Sequence, residues 1–369
     1  MTDLDLFYRN QDLFRSSIQT LDKKAIVRAL LWLRGQAPYP YPTSIHLNLT
    51  LRCTARCIHC KQWTWPSHSE FSIGQIEKLF DIFQSWGVQA ITFGGGNPLL
   101  YPNIDSALKM ARQSNLEVGV ISEGINMSND LARSLCQHAR WIRFSLDGPS
   151  PEVHDKIRNS PDLFNLVMAA IKVLQSHQGK ISIGLNCVVQ KLNLNYLSPM
   201  LELAERIGVD VILFKIAHGK DYGSHFLPSL DEWEKFVNWV QTTAKNNFSV
   251  RTNLKELSEL LDFAFRGEDV VKGKPVQSFY MQESVHCFTP LFFLTCDSEG
   301  NMYPCDYLQA DTRIWGGEYG EMRNEFCLGN VLKKYPFGEP HLEAEGRMSY
   351  LGEGFFQFCG KSSAMRRCG

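Results

Sequence analysis

Strand-like and helix-like segments alternate along the middle of this 369-residue chain, and that rhythm leaves few architectures open to it. The patterning predicts strands at 45–51, 89–94, 117–121, 141–146, 181–189 and 209–216. Between them it predicts helices at 74–86, 103–114, 129–138, 163–177 and 196–207. Strands separated by helices need right-handed crossovers, which yield a parallel sheet. Eight such units would close a full barrel, whereas six predict an α/β fold of partial (β/α)6 TIM type, open on one side. Chemistry in such folds sits at the carboxyl ends of the strands.

Residue parity supports a working face. In the fourth strand Ile142, Phe144 and Leu146 alternate with Arg143, Ser145 and Asp147, so one side is apolar and the other polar. The fifth strand repeats this, with Ile181, Ile183, Leu185 and Cys187 opposite Ser182, Gly184 and Asn186. Cys187 is therefore expected in the helix-packed core, and Cys136, within the 129–138 helix, is likewise read as structural.

Directly after the first strand comes Cys53-Thr-Ala-Arg-Cys57-Ile-His-Cys60. A four-iron cubane takes four ligands, so three thiolates on one short loop leave one iron for a ligand the protein does not supply. Zinc is the alternative, but structural zinc usually uses closed four-coordinate Cys or Cys/His sets. His59, between two of the cysteines, is poorly placed to share their metal.

The net charge of -1 gives no nucleic-acid footprint. No apolar run approaches the roughly 20 residues that span a bilayer, and the acidic start lacks the features of an export signal, so a cytoplasmic protein is expected. Eleven cysteines in such a chain point to thiols or metal ligands rather than a disulfide framework. Six of them fall between Cys287 and Cys368, marking a second site.

After the second strand, Gly94-Gly95-Gly96-Asn97-Pro98 lacks the lysine of a phosphate loop and the helix of a dinucleotide fingerprint. Glycines there let backbone approach a ligand, which suits an amino-acid head group.

With these elements the chain resembles the radical S-adenosylmethionine (SAM) superfamily over about residues 44–216. Cys53, Cys57 and Cys60 match its [4Fe–4S] motif. Gly95-Gly96-Asn97-Pro98 resembles its Gly-Gly-Glu-Pro motif, which holds the SAM amino group, with Asn97 where the family usually has glutamate. Ser145-Leu-Asp-Gly148 resembles the SxDG segment, implying Ser145 as a SAM ligand, with Asn186 a weaker carry-over. The resemblance implies reductive cleavage of SAM to a 5′-deoxyadenosyl radical that abstracts a substrate hydrogen. It also implies an external electron donor such as flavodoxin or ferredoxin.

Cys287, twelve residues, Gly300, four residues and Cys305 look like the opening of the SPASM and twitch extensions, which hold auxiliary iron–sulfur clusters. A hairpin is expected here, with strands at 291–295 and 302–305 about the turn 297–300. Gly329-Asn330 resembles a downstream family segment. The tail lacks the complete SPASM cysteine set, so one auxiliary cluster, expected to be [4Fe–4S], is implied. Cys287 and Cys305 are its implied ligands, Cys359 and Cys368 complete it, and Cys327 competes as the fourth; Cys296 reads as packing. A zinc ribbon remains the alternative for this tail.

The expected organisation is a helical N-terminal extension over 1–43 with a helix at 11–35, a core barrel over 44–250, a helical linker over 251–286 and an auxiliary-cluster domain over 287–369. Glu123 ends the third strand where relatives usually carry a small amide, and Lys215 ends the sixth; both are candidate catalytic residues. His218 and Tyr222 would overhang the barrel mouth, and Asp155 and Arg158 are spaced to pair at i, i+3. Three functions compete. The first is oxidation or epimerisation of a small, aminocyclitol- or sugar-like metabolite. The second is modification of a ribosomal peptide. The third is noncatalytic electron transfer, against which the open-site loop and the glycine motif argue.

Overall fold

The computed structural model describes residues 42–60, 62–64, 69–177, 179, 181–217, 225–258, 293–303 and 329–332. The expected N-terminal helix, His218, Tyr222, Cys287, Cys305, Cys327, Cys359 and Cys368 lie outside the described residues.

All six expected strands form: β1 (Ser44–Thr50), β2 (Ala90–Gly95), β3 (Glu117–Ser122), β4 (Trp141–Ser145), β5 (Ser182–Val189) and β6 (Val211–Ile216). They pair in chain order, each parallel to the next. The expected helices also form: α1 (Ile73–Ser85), α2 (Ile104–Gln113), α3 (Asn129–His138), α5 (Leu163–Ser176) and α6 (Leu197–Arg206). Two further helices form: α4 (Pro151–Arg158) in the β4–β5 crossover, which carries the helical spacing of Asp155 and Arg158, and α7 (Leu230–Thr243) after β6, which was not among the expectations. Helix starts are encoded locally. Ser72 accepts from Gln75 N–H while the Gln75 side chain accepts from Ser72 N–H, and Ser229 and Glu232 do the same for α7. Such reciprocal caps stabilise a helix by about 1 kcal/mol.

The sheet is open rather than closed, as a partial TIM-type barrel requires. The short β7 (Arg251–Thr252) extends it beyond β6. On the other side β8 (Phe293–Cys296) runs parallel to β1, followed by antiparallel β9 (Asn301–Tyr303) and β10 (Gly329–Asn330). The expected tail hairpin is thus present as β8 and β9, and it extends the barrel sheet instead of standing apart. Asp297 ties its turn by accepting from the Glu299 and Asn301 N–H groups, and Cys296 is fully buried in the core. No helix of the described residues is long and apolar enough to cross a membrane.

The core follows the predicted parity. Leu47, Phe93, Val120, Phe144, Leu185, Cys187 and Phe214 pack outward beneath the helices against residues such as Leu79, Phe80, Leu108, Leu135 and Ile171. Cys187 is fully buried there, and half-buried Cys136 packs against the same core. The opposite face of the strands is crowded. A Cβ on Gly94, near the carboxyl end of β2, would strike the His46 ring, one on Gly119 the Trp141 ring, and one on Gly184 would strike Val211 and the Arg143 side chain. Missing side chains on three strands make room for large ones on their neighbours. Arg143 lies over Trp141, 5.0 Å from the ring centroid, and donates to the Ser182 carbonyl. The interior is therefore filled below, and the polar residues available for chemistry lie above.

Candidate active site: a three-cysteine loop at the carboxyl ends of the strands

The cysteine loop leaves β1 at Thr50 and is fastened through its backbone on two sides. From the β2 end, Gly96 N–H donates to the Thr50 carbonyl and Asn97 N–H to the Arg52 carbonyl, each at 2.8 Å. From the end of α4, the carbonyls of Arg158 and Ile157 accept from Arg56 and Ile58 N–H at 3.0 and 3.1 Å. Cys60 N–H closes a turn onto the Cys57 carbonyl. Glycine is required at the first junction: Gly95 has φ +110°, and a Cβ on Gly96 would meet the backbone of Leu51 and Arg52.

Cys57 is buried, while Cys53 and Cys60 are half-buried around Ala55 and Leu163. Among the described residues, no three His, Cys, Asp or Glu side chains converge on a point that would hold one metal ion. Burial pushes the Cys57 thiol up to about 12, partly opposed by the Arg158 charge. Burial raises Cys53 as well, reinforced by Glu123, whose Oε1 accepts from the Cys53 thiol at 3.1 Å. Iron must displace these protons, and the Arg158 Nη1, 3.5 Å from Cys57 Sγ, is placed to favour the resulting thiolate.

Arg158 is the electrostatic centre of the site. Its Nε lies 2.7 Å from Asp147 Oδ2, an ion pair in which the side chains are 7% and 0% exposed. The pair is close in distance, though its angle departs from hydrogen-bond geometry. Burial opposes the guanidinium charge, but Asp147, Cys57 and Glu123 together hold it above its ordinary value. Asp147 Oδ1 accepts from Val188 N–H at 2.7 Å, and its own N–H donates to His154 Nδ1 at 3.0 Å. Asn193 Nδ2 donates to the Asp147 and Val188 carbonyls. Gln190, at the end of β5, reaches the loop itself, its Nε2 lying 3.1 Å from His59 Nδ1. Asp147, Arg158 and Gln190 thus connect the ends of β4, α4 and β5 to the cysteines.

The sequence profile of the Radical SAM superfamily matches residues 47–246, more than half of the chain. The chain belongs to the radical SAM superfamily. Among curated proteins it is similar to the AdoMet-dependent heme synthase of Oleidesulfovibrio alaskensis, 25% identical over 275 residues, covering 72% of this chain and 69% of that protein. It is also similar to the antilisterial bacteriocin subtilosin biosynthesis protein AlbA of Bacillus subtilis, 23% identical over 63% of this chain and 54% of the relative. In fold it resembles anSMEcpe, solved with bound AdoMet and Cp18Cys peptide. The TM-score is 0.60 at 16% identity, over 89% of this chain and 88% of that one. The family uses a [4Fe–4S] cluster and SAM, and the three thiols of the loop are donors of the kind that could hold such a cluster.

The structure brings several expected residues to this radical SAM site. Gly95 and Gly96 adjoin the loop, and Asn97, fully buried, accepts through Oδ1 from the Ser122 hydroxyl at 2.7 Å and from Leu99 N–H at 3.3 Å. Half-buried Ser145 ends β4 and buried Asn186 is its register neighbour within β5, with no hydrogen-bond partner for Asn186 Oδ1 among the described residues. Glu123 is 5% exposed and lies against Cys53, and its burial raises its carboxyl. Lys215 stands exposed at the end of β6, opposite Val188. One expectation is corrected. Arg158 pairs with Asp147 rather than with Asp155, whose carboxylate instead accepts from Phe164 N–H. Sequence reasoning missed Gln190, Asn193 and Ser122. Their signal was a polar residue at or just beyond the end of an apolar strand.

Proposed function

We propose that this radical SAM protein removes a hydrogen atom from a non-peptide metabolite held over the carboxyl ends of the strands, oxidising or epimerising it. The observation that carries the reading is the backbone-pinned cysteine loop bordered by Glu123 and Asn97, with Ser145 and Asn186 paired in register across β4 and β5. When bound, the cluster and SAM supply the reducing electron and the 5′-deoxyadenosyl radical. The protein's own residues orient and enclose them. Gly95 and Gly96 bring backbone close, and Ser145 and Asn186 offer hydrogen bonds to SAM. Arg158 balances thiolate charge, and the packed floor of Trp141, Arg143 and His46 keeps water from below. The similarity to a heme synthase over 72% of the chain supports a non-peptide substrate, since heme is a tetrapyrrole.

Peptide modification is the second reading, supported by the similarity to AlbA and by the peptide in the anSMEcpe structure. In either case Cys287, Cys305 and the later cysteines would hold one auxiliary iron–sulfur cluster, with Cys327, Cys359 and Cys368 as the further candidates. Glu123 and Lys215 remain candidates for contact with substrate or cofactor.

Anaerobic reconstitution, dithionite reduction and an assay of 5′-deoxyadenosine release against panels of metabolites and short peptides test this. Release stimulated by a non-peptide compound supports the first reading and release stimulated only by peptides the second. No release from iron-loaded protein would overturn both. Iron analysis should give roughly eight atoms per chain with two [4Fe–4S] clusters and four with one.

A further inference from the structure

Two buried polar atoms beside the cysteine loop lack a partner among the described residues, and they are of opposite kind. Asn97 Nδ2 is a donor and Glu123 Oε2 an acceptor. The Asn97 amide orientation is not arbitrary. Leu99 N–H can only donate, so the atom facing it is Oδ1, and Nδ2 must carry the unmet hydrogens. Ser122 joins the two residues: its hydroxyl donates to Asn97 Oδ1 and accepts from Gly124 N–H, leaving Glu123 between them in sequence.

Glu123 is more exposed to loss once iron is present. Its Oε1 is served by the Cys53 thiol, and a coordinated thiolate has no proton to give. The carboxylate, 5% exposed, would then face a negative sulfur with neither oxygen paired. The nearby cations among the described residues are committed elsewhere. Arg158 is taken by Asp147 and Cys57, and Arg56 Nη1 donates to the Cys53 and Ala55 carbonyls at 2.7 and 2.9 Å. What satisfies the pair is a ligand carrying an ammonium and a carboxylate on adjacent atoms, an α-amino-acid head group.

We propose that Glu123 takes the ammonium of the SAM head group and that Asn97 donates to its carboxylate. The acidic and amide positions are thereby exchanged between the ends of β2 and β3. At the motif position where relatives usually carry glutamate this chain has Asn97, and where they usually carry a small amide it has Glu123. The exchange conserves the charge of the site while moving it one strand over. Glu123 is then a cofactor-positioning residue, and its role does not depend on which substrate the protein uses.

The test uses anaerobically reconstituted full-length protein, with SAM and its deaminated 2-oxo analogue as probes. Binding is read by equilibrium dialysis and by the change SAM causes in the EPR signal of the reduced cluster. Glu123→Gln should keep its iron and weaken SAM binding by about ten- to a hundredfold, the loss of one buried charge-assisted hydrogen bond. The preference of the wild type for SAM over the 2-oxo analogue should vanish in that variant. Glu123→Asn should lose affinity similarly, and the exchange variant Asn97→Glu/Glu123→Asn should recover most of it. The proposal is overturned if Glu123→Gln binds SAM as the wild type does, or if both probes weaken equally. Iron loss on Glu123→Gln, or no recovery in the exchange variant, would overturn it as well. Wild-type protein that carries iron but binds no SAM would instead refute the functional reading above.

Discussion

Replacing Arg158 with methionine, R158M, should be among the most destabilising single changes on the cysteine side of the barrel. Asp147 is 0% exposed, so removing its partner strands a carboxylate that water cannot reach and that retains one backbone donor, Val188 N–H. Breaking one side of a buried ion pair costs about 3–5 kcal/mol, and with both side chains this enclosed little of that is screened. D147N should cost less, about 1–3 kcal/mol, because the amide still accepts from Val188 N–H and the stranded guanidinium keeps Cys57 Sγ. The double variant D147N/R158M should recover part of the single-variant loss, the signature of a coupled pair. Urea unfolding of the metal-free chain under reductant, from pH 7.5 to 5, measures these penalties. A penalty under 1 kcal/mol for R158M at pH 7 would refute the reasoning.

His154 predicts a pH effect of its own in the wild type. Burial, with the Arg158 charge, pushes its imidazole down to about 3 while Nδ1 accepts from Asp147 N–H. Above pH 6.5 neither folded nor unfolded His154 holds a proton, but below it the unfolded chain takes one up that the fold refuses. Stability should fall by up to about 1.4 kcal/mol per unit below pH 6.5, and H154Q should flatten that slope in the same urea assay. Gly96→Ala forces a Cβ into the backbone of Leu51 and Arg52, so reconstituted iron should drop by more than half, with about 1–3 kcal/mol lost; full iron content would show that the loop can yield. Cys57→Ala should abolish the signal of the SAM-site cluster in EPR, whereas C136A, on the helix-packed side, should leave it intact.

The parts of this molecule written in local periodicity were legible in the sequence. The alternation of Ile142 and Phe144 with Arg143 gave the faces of β4, and the rhythm of strand-like and helix-like segments gave the six parallel strands in chain order. What escaped was long-range. The pairing of Arg158 with Asp147 spans a turn and a helix, and it wins over the i, i+3 geometry because Asp147 is fully buried and has no other cation to answer it. The addition of β8 to the edge of β1 joins residues some 250 positions apart, for which periodicity holds no record.

The four hydrogen bonds that hold the cysteine loop all run from main chain to main chain, through Thr50, Arg52, Arg56 and Ile58. Such tethers are blind to the chemistry of the side chains they carry. Thr54 and Ile58 are therefore open to replacement by drift, and the lineage can retune what surrounds the thiols without dislodging the thiols themselves. Loading with metal becomes an act of filling a place already set rather than one of building it.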